Sequence, residues 1–219
     1  MSMLVPYAAQ IIPRTRRSGA SSFIYCYERG SEIQLNQEES ATTIYALIEV
    51  LGDIATGDAV SDLITGQLDH LFPIPGSEQP VLNFEGAVSY INKALADQYA
   101  SIGINAVFVH IHDHTVSVVH TGKAEAHMNR GRNFIKITES LPQQVSGKKQ
   151  AVFSEVASGQ IKSGDKLLLA TPGLFHHISI DQIKNSIMDN TPATSAAKLA
   201  KLADNRPDSY RASAVIIEI

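Results

Sequence analysis

A chain of 219 residues, 44% of them hydrophobic and without biased tracts, can bury one sizeable core and is short for two, so a single domain over residues 1–219 is expected. The net charge of −4, with Lys and Arg scattered, offers no positive surface for a phosphate backbone and argues against nucleic acid as a partner. Cys26 is the single cysteine, which precludes an intrachain disulfide and points to a reducing compartment, the cytoplasm by default.

At the start of the chain, Leu4, Val5, Ile11 and Ile12 are interrupted by Gln10 and Pro13, and Arg14, Arg16 and Arg17 follow rather than precede them. That order is the reverse of a signal peptide. No stretch approaches the ~20 apolar residues of a membrane span, so no membrane segment is expected. Short runs rich in β-branched and aromatic residues then mark strands at Ser22 to Tyr27 and Thr43 to Leu51. Two apolar stripes at helical spacing follow: Val60, Leu63, Ile64, Leu68 and Leu71, then Phe84, Val88, Ile91, Leu95 and Tyr99. Between them, Phe72 to Pro80 carries the prolines and glycine of a loop.

Further strands are expected at Asn105 to His112, Val116 to Thr121, Lys123 to Asn129, Asn133 to Ile137 and Lys166 to Ala170, with Asp113-His114 turning a hairpin. After Ala170 the chain enters a tight turn at Pro172-Gly173, with a helix opening a few residues later. Ser179 and Gln182 form a capping box ahead of Ile183 and Ile187. Thr191-Pro192 then opens a last helix with the stripe Ala196, Leu199, Ala200 and Ala203. A final strand, Ala212 to Glu218, ends the chain without a tail, which raises the expectation of a domain cut from a longer protein. Strands at both ends with two separated helix pairs between them indicate a layered α+β domain.

Chemistry-bearing residues are sparse. There is no phosphate-cradling Gly-Lys-Ser/Thr loop, no Gly-x-Ser-x-Gly elbow, no Cys-x-x-Cys pair and no His-Glu-x-x-His. Cys26 sits in an apolar strand and reads as a small buried hydrophobe. His110, His112 and His114 alternate, a spacing that can hold Zn²⁺ on one strand face; the plainer reading places them around an exposed hairpin. His176 and His177, adjacent on a helix, read as surface residues.

The order of elements and the local motifs resemble the metal-dependent serine/threonine protein phosphatases of the type 2C family, over nearly the whole chain. The stretch Gly164-Asp165-Lys166-Leu167-Leu168-Leu169-Ala170-Thr171-Pro172-Gly173-Leu174, with Ile178-Ser179 opening a helix, is similar to that family's Gly-Asp, apolar strand and Ser-Asp-Gly. Val116 to Ala126 is similar to its strand entering Gly-Asp-Ser-Arg-Ala, with Lys123 for Asp and Glu125 for Arg. Arg16-Arg17-Ser18-Gly19-Ala20-Ser21 resembles Arg-x-x-Asn-Glu-Asp. Val50 to Gly57 stands in for Asp-Gly-x-Gly-Gly, and Tyr210-Arg211-Ala212-Ser213 for the terminal Asp-Asn-x-Thr.

The resemblance implies a four-layer αββα sandwich of two antiparallel sheets flanked by helix pairs. It also implies a reaction in which two divalent cations between the sheets activate water against a phosphoserine or phosphothreonine. The metal-binding acids would be replaced at Ser21, Gly52, Pro172 and Tyr210. A register slip would bring Asp53 to the second position or Asp208 to the fourth, but nothing rescues Pro172; Asp204-Asn205 lies too early, at a helix end. Hard cations need several carboxylates together, so no metal and no cofactor is expected. The expected function is a pseudophosphatase, a protein-binding or regulatory module with a protein partner. Arg16, matching the phosphate-contacting arginine, together with Lys123 would suit a phosphorylated one. The alternative is a divergent phosphohydrolase with a metal site rebuilt from His and Asp.

Overall fold

The computed structural model describes residues 7–11, 20–29, 42–51, 54–69, 84–99, 102–112, 114–138, 157–204 and 212–219. Side chains on a strand alternate between its two faces, so every strand here that is apolar on both faces must be covered twice. That requirement builds the molecule. The strands are β1 (Tyr7–Ile11), β2 (Ala20–Arg29), β3 (Thr42–Leu51), β4 (Gly103–His112), β5 (Thr115–Thr121), β6 (Glu125–Arg130), β7 (Asn133–Lys136), β8 (Ala157–Gln160), β9 (Lys166–Ala170) and β10 (Ala214–Glu218). They form two antiparallel sheets with the orders β1-β10-β9-β6-β7 and β2-β3-β4-β5-β8.

The helices are α1 (Ile54–Asp69), α2 (Phe84–Gln98), α3 (Pro172–His177), α4 (Ile180–Ile187) and α5 (Pro192–Asp204). Three apolar layers result. Ile44, Ala46, Ile48, Ala106 and Phe108 pack under α1 and α2 through Ile64, Leu68, Ile91 and Leu95. The opposite parity of the same strands, Tyr45, Leu47, Val107 and Val109, meets Leu167, Leu169, Val215 and Ile217 between the two sheets. Leu168, Ala170, Ala214 and Ile216 face Leu174, Ile183, Ile187 and Leu199 of α3, α4 and α5. The expected αββα sandwich is therefore present, each fully buried Ile or Leu contributing about 1.5–3 kcal/mol to it.

Several local expectations are met and some are corrected. The capping box forms: Gln182 N donates to Ser179 Oγ at 3.3 Å and Ser179 N donates to Gln182 Oε1 at 3.1 Å. The β4–β5 hairpin turns between His112 and Thr115, which pair directly. Lys123 and Ala124 belong to the connection between β5 and β6, and the strand begins only at Glu125. The expected turn at Pro172-Gly173 is instead the first turn of α3, because proline's fixed φ suits the first helical position and its missing N–H is not needed there. β1 and β8 were not expected. The sequence of β8, Ala-Ser-Gly-Gln, has no strand preference of its own and is held by pairing with β5.

Candidate functional site

Strand pairing gathers one end of the sandwich. In one sheet Ala20 pairs with Leu51, and Leu51 with Gly103, while Thr121 closes the end of β5 opposite Ala106. In the other sheet Glu125 and Ala214 both pair with Ala170. The short connection Gly122-Lys123-Ala124 runs directly from β5 to β6, so these strand ends face the same way. Ser21 lies on β2 opposite Val50, one residue from this end, and Pro172 follows two residues after Ala170. Lys123, in the crossover, is exposed here. Gly52, Tyr210, Arg16, Asp53 and Asp208 lie outside the described residues.

The inter-sheet layer changes character at this end. Continuing the inward parity of each strand by one step leads from Tyr45 and Leu47 to Glu49, from Val107 to Asn105, and from Val118 to His120. The same step leads from Leu169 to Thr171 and from Val215 to Ser213. All five are buried. None was singled out from the sequence for its place in this layer, because each is an ordinary polar residue beside a strand end. The signal was there only in the parity of the apolar run that each one extends.

Their hydrogen bonds are mostly internal. Asn105 Nδ2 donates to Glu49 Oε2 at 2.6 Å, and Asn105 Oδ1 accepts from Lys123 N at 2.8 Å. Thr171 N donates to the Ser213 carbonyl at 2.9 Å, and Ser213 N donates to Thr171 Oγ1 at 3.0 Å. Ser213 Oγ is buried with no hydrogen-bond partner among the described residues. Gly122 takes a left-handed φ of 65°, and a Cβ there would stand 2.4 Å from Asn105 Oδ1 and 2.5 Å from the Ile104 carbonyl. Only glycine lets the crossover pass this close.

Among the described residues, this end supplies fewer carboxylates than two hard cations need. Among the described residues there is no group of three or more His, Cys, Asp or Glu placed to hold a metal. Pro172 has no side-chain oxygen, and the Thr171 hydroxyl and both amide atoms of Asn105 are engaged within the protein. Glu49 is the carboxylate that the described strands bring to this face.

Other charged groups that the motifs drew in serve elsewhere. Glu125 faces the α3 side, where it accepts from Lys136 Nζ at 2.6 Å and lies 2.8 Å from His127 Nε2. The His127 ring stacks on Phe134 at 4.9 Å and tilts against Phe175 of α3 at 5.3 Å. Burial pushes the Glu125 carboxyl up, but the hydrogen bonds and charges of His127 and Lys136 together hold it below its ordinary value. Asp165 sits at the opposite end of β9. It accepts from Arg130 Nε at 2.9 Å, Arg130 Nη2 at 2.6 Å and Lys162 N at 2.8 Å, while Arg130 Nη2 also donates to the Gln160 carbonyl of β8 in the other sheet. Arg130 thus joins the two sheets.

The histidines expected to alternate on one face divide. His110 and His112 share the helix-covered face of β4, with ring centroids 6.1 Å apart, and His110 lies 5.3 Å from the Phe84 ring. His114 is exposed in the hairpin turn, off the strand. Burial, then the neighbouring His112, lowers the His110 pKa. They lie about 20 Å along β4 from the polar end.

The two antiparallel sheets, their helix layers and the strand ends brought together here are the fold of the type 2C serine/threonine phosphatases. The structure is similar to the Mycobacterium tuberculosis serine/threonine phosphatase PstP/Ppp, with a TM-score of 0.71 at 18% identity over 99% of each chain. It is similar as well to the S. agalactiae serine/threonine phosphatase, with a TM-score of 0.71 at 15% identity over 98% of this chain and 99% of that one. The PstP catalytic domain in complex with two manganese ions gives 0.62 at 19% identity, covering 91% and 98%. No protein-family model matches the sequence and no curated protein matches it.

Proposed function

We propose that this chain is a degenerate type 2C phosphatase domain, a pseudophosphatase that serves as a protein-binding or regulatory module in the cytoplasm without a metal cofactor. The observation that carries the reading is Pro172. It stands at the first position of α3, at the sandwich end, where the family motif has an aspartate, and it offers no side-chain oxygen. A two-metal site needs several carboxylates to offset charge and dehydration, and one residue of this kind at its centre removes both a ligand and the space for it. Ser21, Gly52 and Tyr210 are the other positions at which the motif loses its acids. Arg16 and Lys123 remain as cationic groups for the phosphate of a phosphorylated protein partner, bound without metal.

A second reading, a divergent phosphohydrolase with a rebuilt site, is favoured by one observation: Glu49 brings a buried carboxylate to the same face. Thermal unfolding with and without millimolar Mn²⁺, Mg²⁺ or Zn²⁺, alongside hydrolysis of an aryl phosphate, separates the two. The pseudophosphatase reading expects no shift and no turnover. A Mn²⁺-dependent shift accompanied by turnover would replace it with the second.

A further inference from the structure

The crossover between the sheets is held from behind by two buried side chains. Lys123 N donates to Asn105 Oδ1 at 2.8 Å, Asn105 Nδ2 donates to Glu49 Oε2 at 2.6 Å, and both side chains belong to residues that are more than nine-tenths buried. Asn105 and Glu49 are direct cross-strand neighbours, so β3 and β4 fix their spacing. An amide has one acceptor end and one donor end, and only one orientation of Asn105 serves both neighbours. Gly122, in a left-handed backbone, brings the crossover so close to Asn105 Oδ1 that a Cβ there would clash with it.

We propose that Glu49 and Asn105 form a positioning relay: Glu49 orients the Asn105 amide, and the amide pins the Lys123 backbone so that its exposed ammonium is presented at the polar end of the sandwich to a phosphate monoester anion. This rests on the anion-binding reading of Lys123 above and adds the two residues that set its geometry. The hydrogen bond from Asn105 Nδ2 to Glu49 and the one from Lys123 N to Asn105 Oδ1 share the same amide, so Asn105 links Glu49 to the crossover. Burying an amide whose donor end has lost its acceptor costs enough to turn or release it.

Amide hydrogen exchange at Lys123 tests the relay, and titration with inorganic phosphate and a phosphoserine peptide tests what it serves. Asn105→Leu and Glu49→Leu should each raise Lys123 exchange by about tenfold or more, the equivalent of one lost hydrogen bond, while Glu49→Gln, which keeps an acceptor, should restore protection. Phosphate affinity should fall with the Leu variants and recover in Glu49→Gln. Lys123→Met should abolish binding while leaving its own amide protected. If Glu49→Leu leaves Lys123 exchange unchanged in a folded protein, the relay is wrong. If exchange follows the relay but wild-type protein binds neither phosphate nor phosphopeptide, the relay stands as a brace and the anion-presenting role is overturned. Should a Leu variant fail to fold, Glu49→Gln against Glu49→Ala, compared at the Lys123 amide, decides the same question.

Discussion

Asp165 carries the Gly-Asp motif that made the sequence resemble a phosphatase, and the structure gives it a mechanical task with a measurable size. Its buried carboxylate takes three hydrogen bonds, two from Arg130 and one from Lys162 N. Arg130 in turn reaches the Gln160 carbonyl on the other sheet. Asp165→Ala would strand the Lys162 N–H and strip Arg130 of its counter-charge. Breaking a fully buried pair costs about 3–5 kcal/mol. Arg130 is 37% exposed and can rehydrate, so the expected loss is smaller, about 2–3 kcal/mol, above the ~1 kcal/mol ceiling of a surface pair. For a chain of this size that is a Tm lowered by about 5–10 °C.

The pH dependence follows from the same contacts. Burial raises the Asp165 pKa, but the Arg130 and Lys162 hydrogen bonds and charges outweigh it and hold the carboxyl below the ordinary 3.8. The contribution is therefore full above about pH 4 and is lost as pH falls through the lowered folded value, since the unfolded chain takes up the proton first. Urea unfolding of wild type, Asp165→Ala and Asp165→Asn from pH 7 down to pH 3 provides the assay. Asp165→Asn should lose less stability at pH 7 and show a flatter acid limb. A loss below ~1 kcal/mol for the alanine variant, or an unchanged acid limb for the asparagine variant, would refute the reasoning.

Three further outcomes are expected. Gly122→Ala meets Asn105 Oδ1 at 2.4 Å in a left-handed backbone and should cost about 2 kcal/mol or more, read by denaturant midpoint at unchanged m. Lys166, whose Nζ donates to the Asn190 carbonyl at 2.6 Å and the Ile187 carbonyl at 3.2 Å, closes the C-terminal end of α4; Lys166→Met should cost about 1–3 kcal/mol and raise amide exchange in α4 before the β-strands. His110, held neutral by burial and by His112, contributes stability that is full above its ordinary pKa of 6.5 and declines as pH falls through the lower folded value. His110→Phe should flatten thermal stability between pH 7 and pH 5, and an unaltered slope would count against this assignment.

Local chemistry was enough to place the helices and most strands. The Ser179–Gln182 capping box, the Thr191-Pro192 start and the stripes of α1 and α2 each depend on residues within a few positions of one another, and each forms where the pattern sits, with Leu71 of the first stripe outside the described residues. The strand β9 and its flanking motif were legible for the same reason. What the pattern misread was the state of Pro172, because a proline before glycine suits a turn and a first helical turn equally until the following residues pack. Leu174 and Ile178, buried on the sheet, choose the helix.

The sequence by itself determined which side chains each strand offers to either face, since alternation is built into the backbone, and it determined that Pro172 brings no carboxylate. Only the tertiary structure decided that Glu49, Asn105, His120, Thr171 and Ser213 share one end of the inter-sheet layer. Those residues come from five strands or strand ends far apart in the chain. Their meeting depends on which strands pair, in which register and at which end, and that is settled by the burial of three apolar layers at once rather than by any local preference.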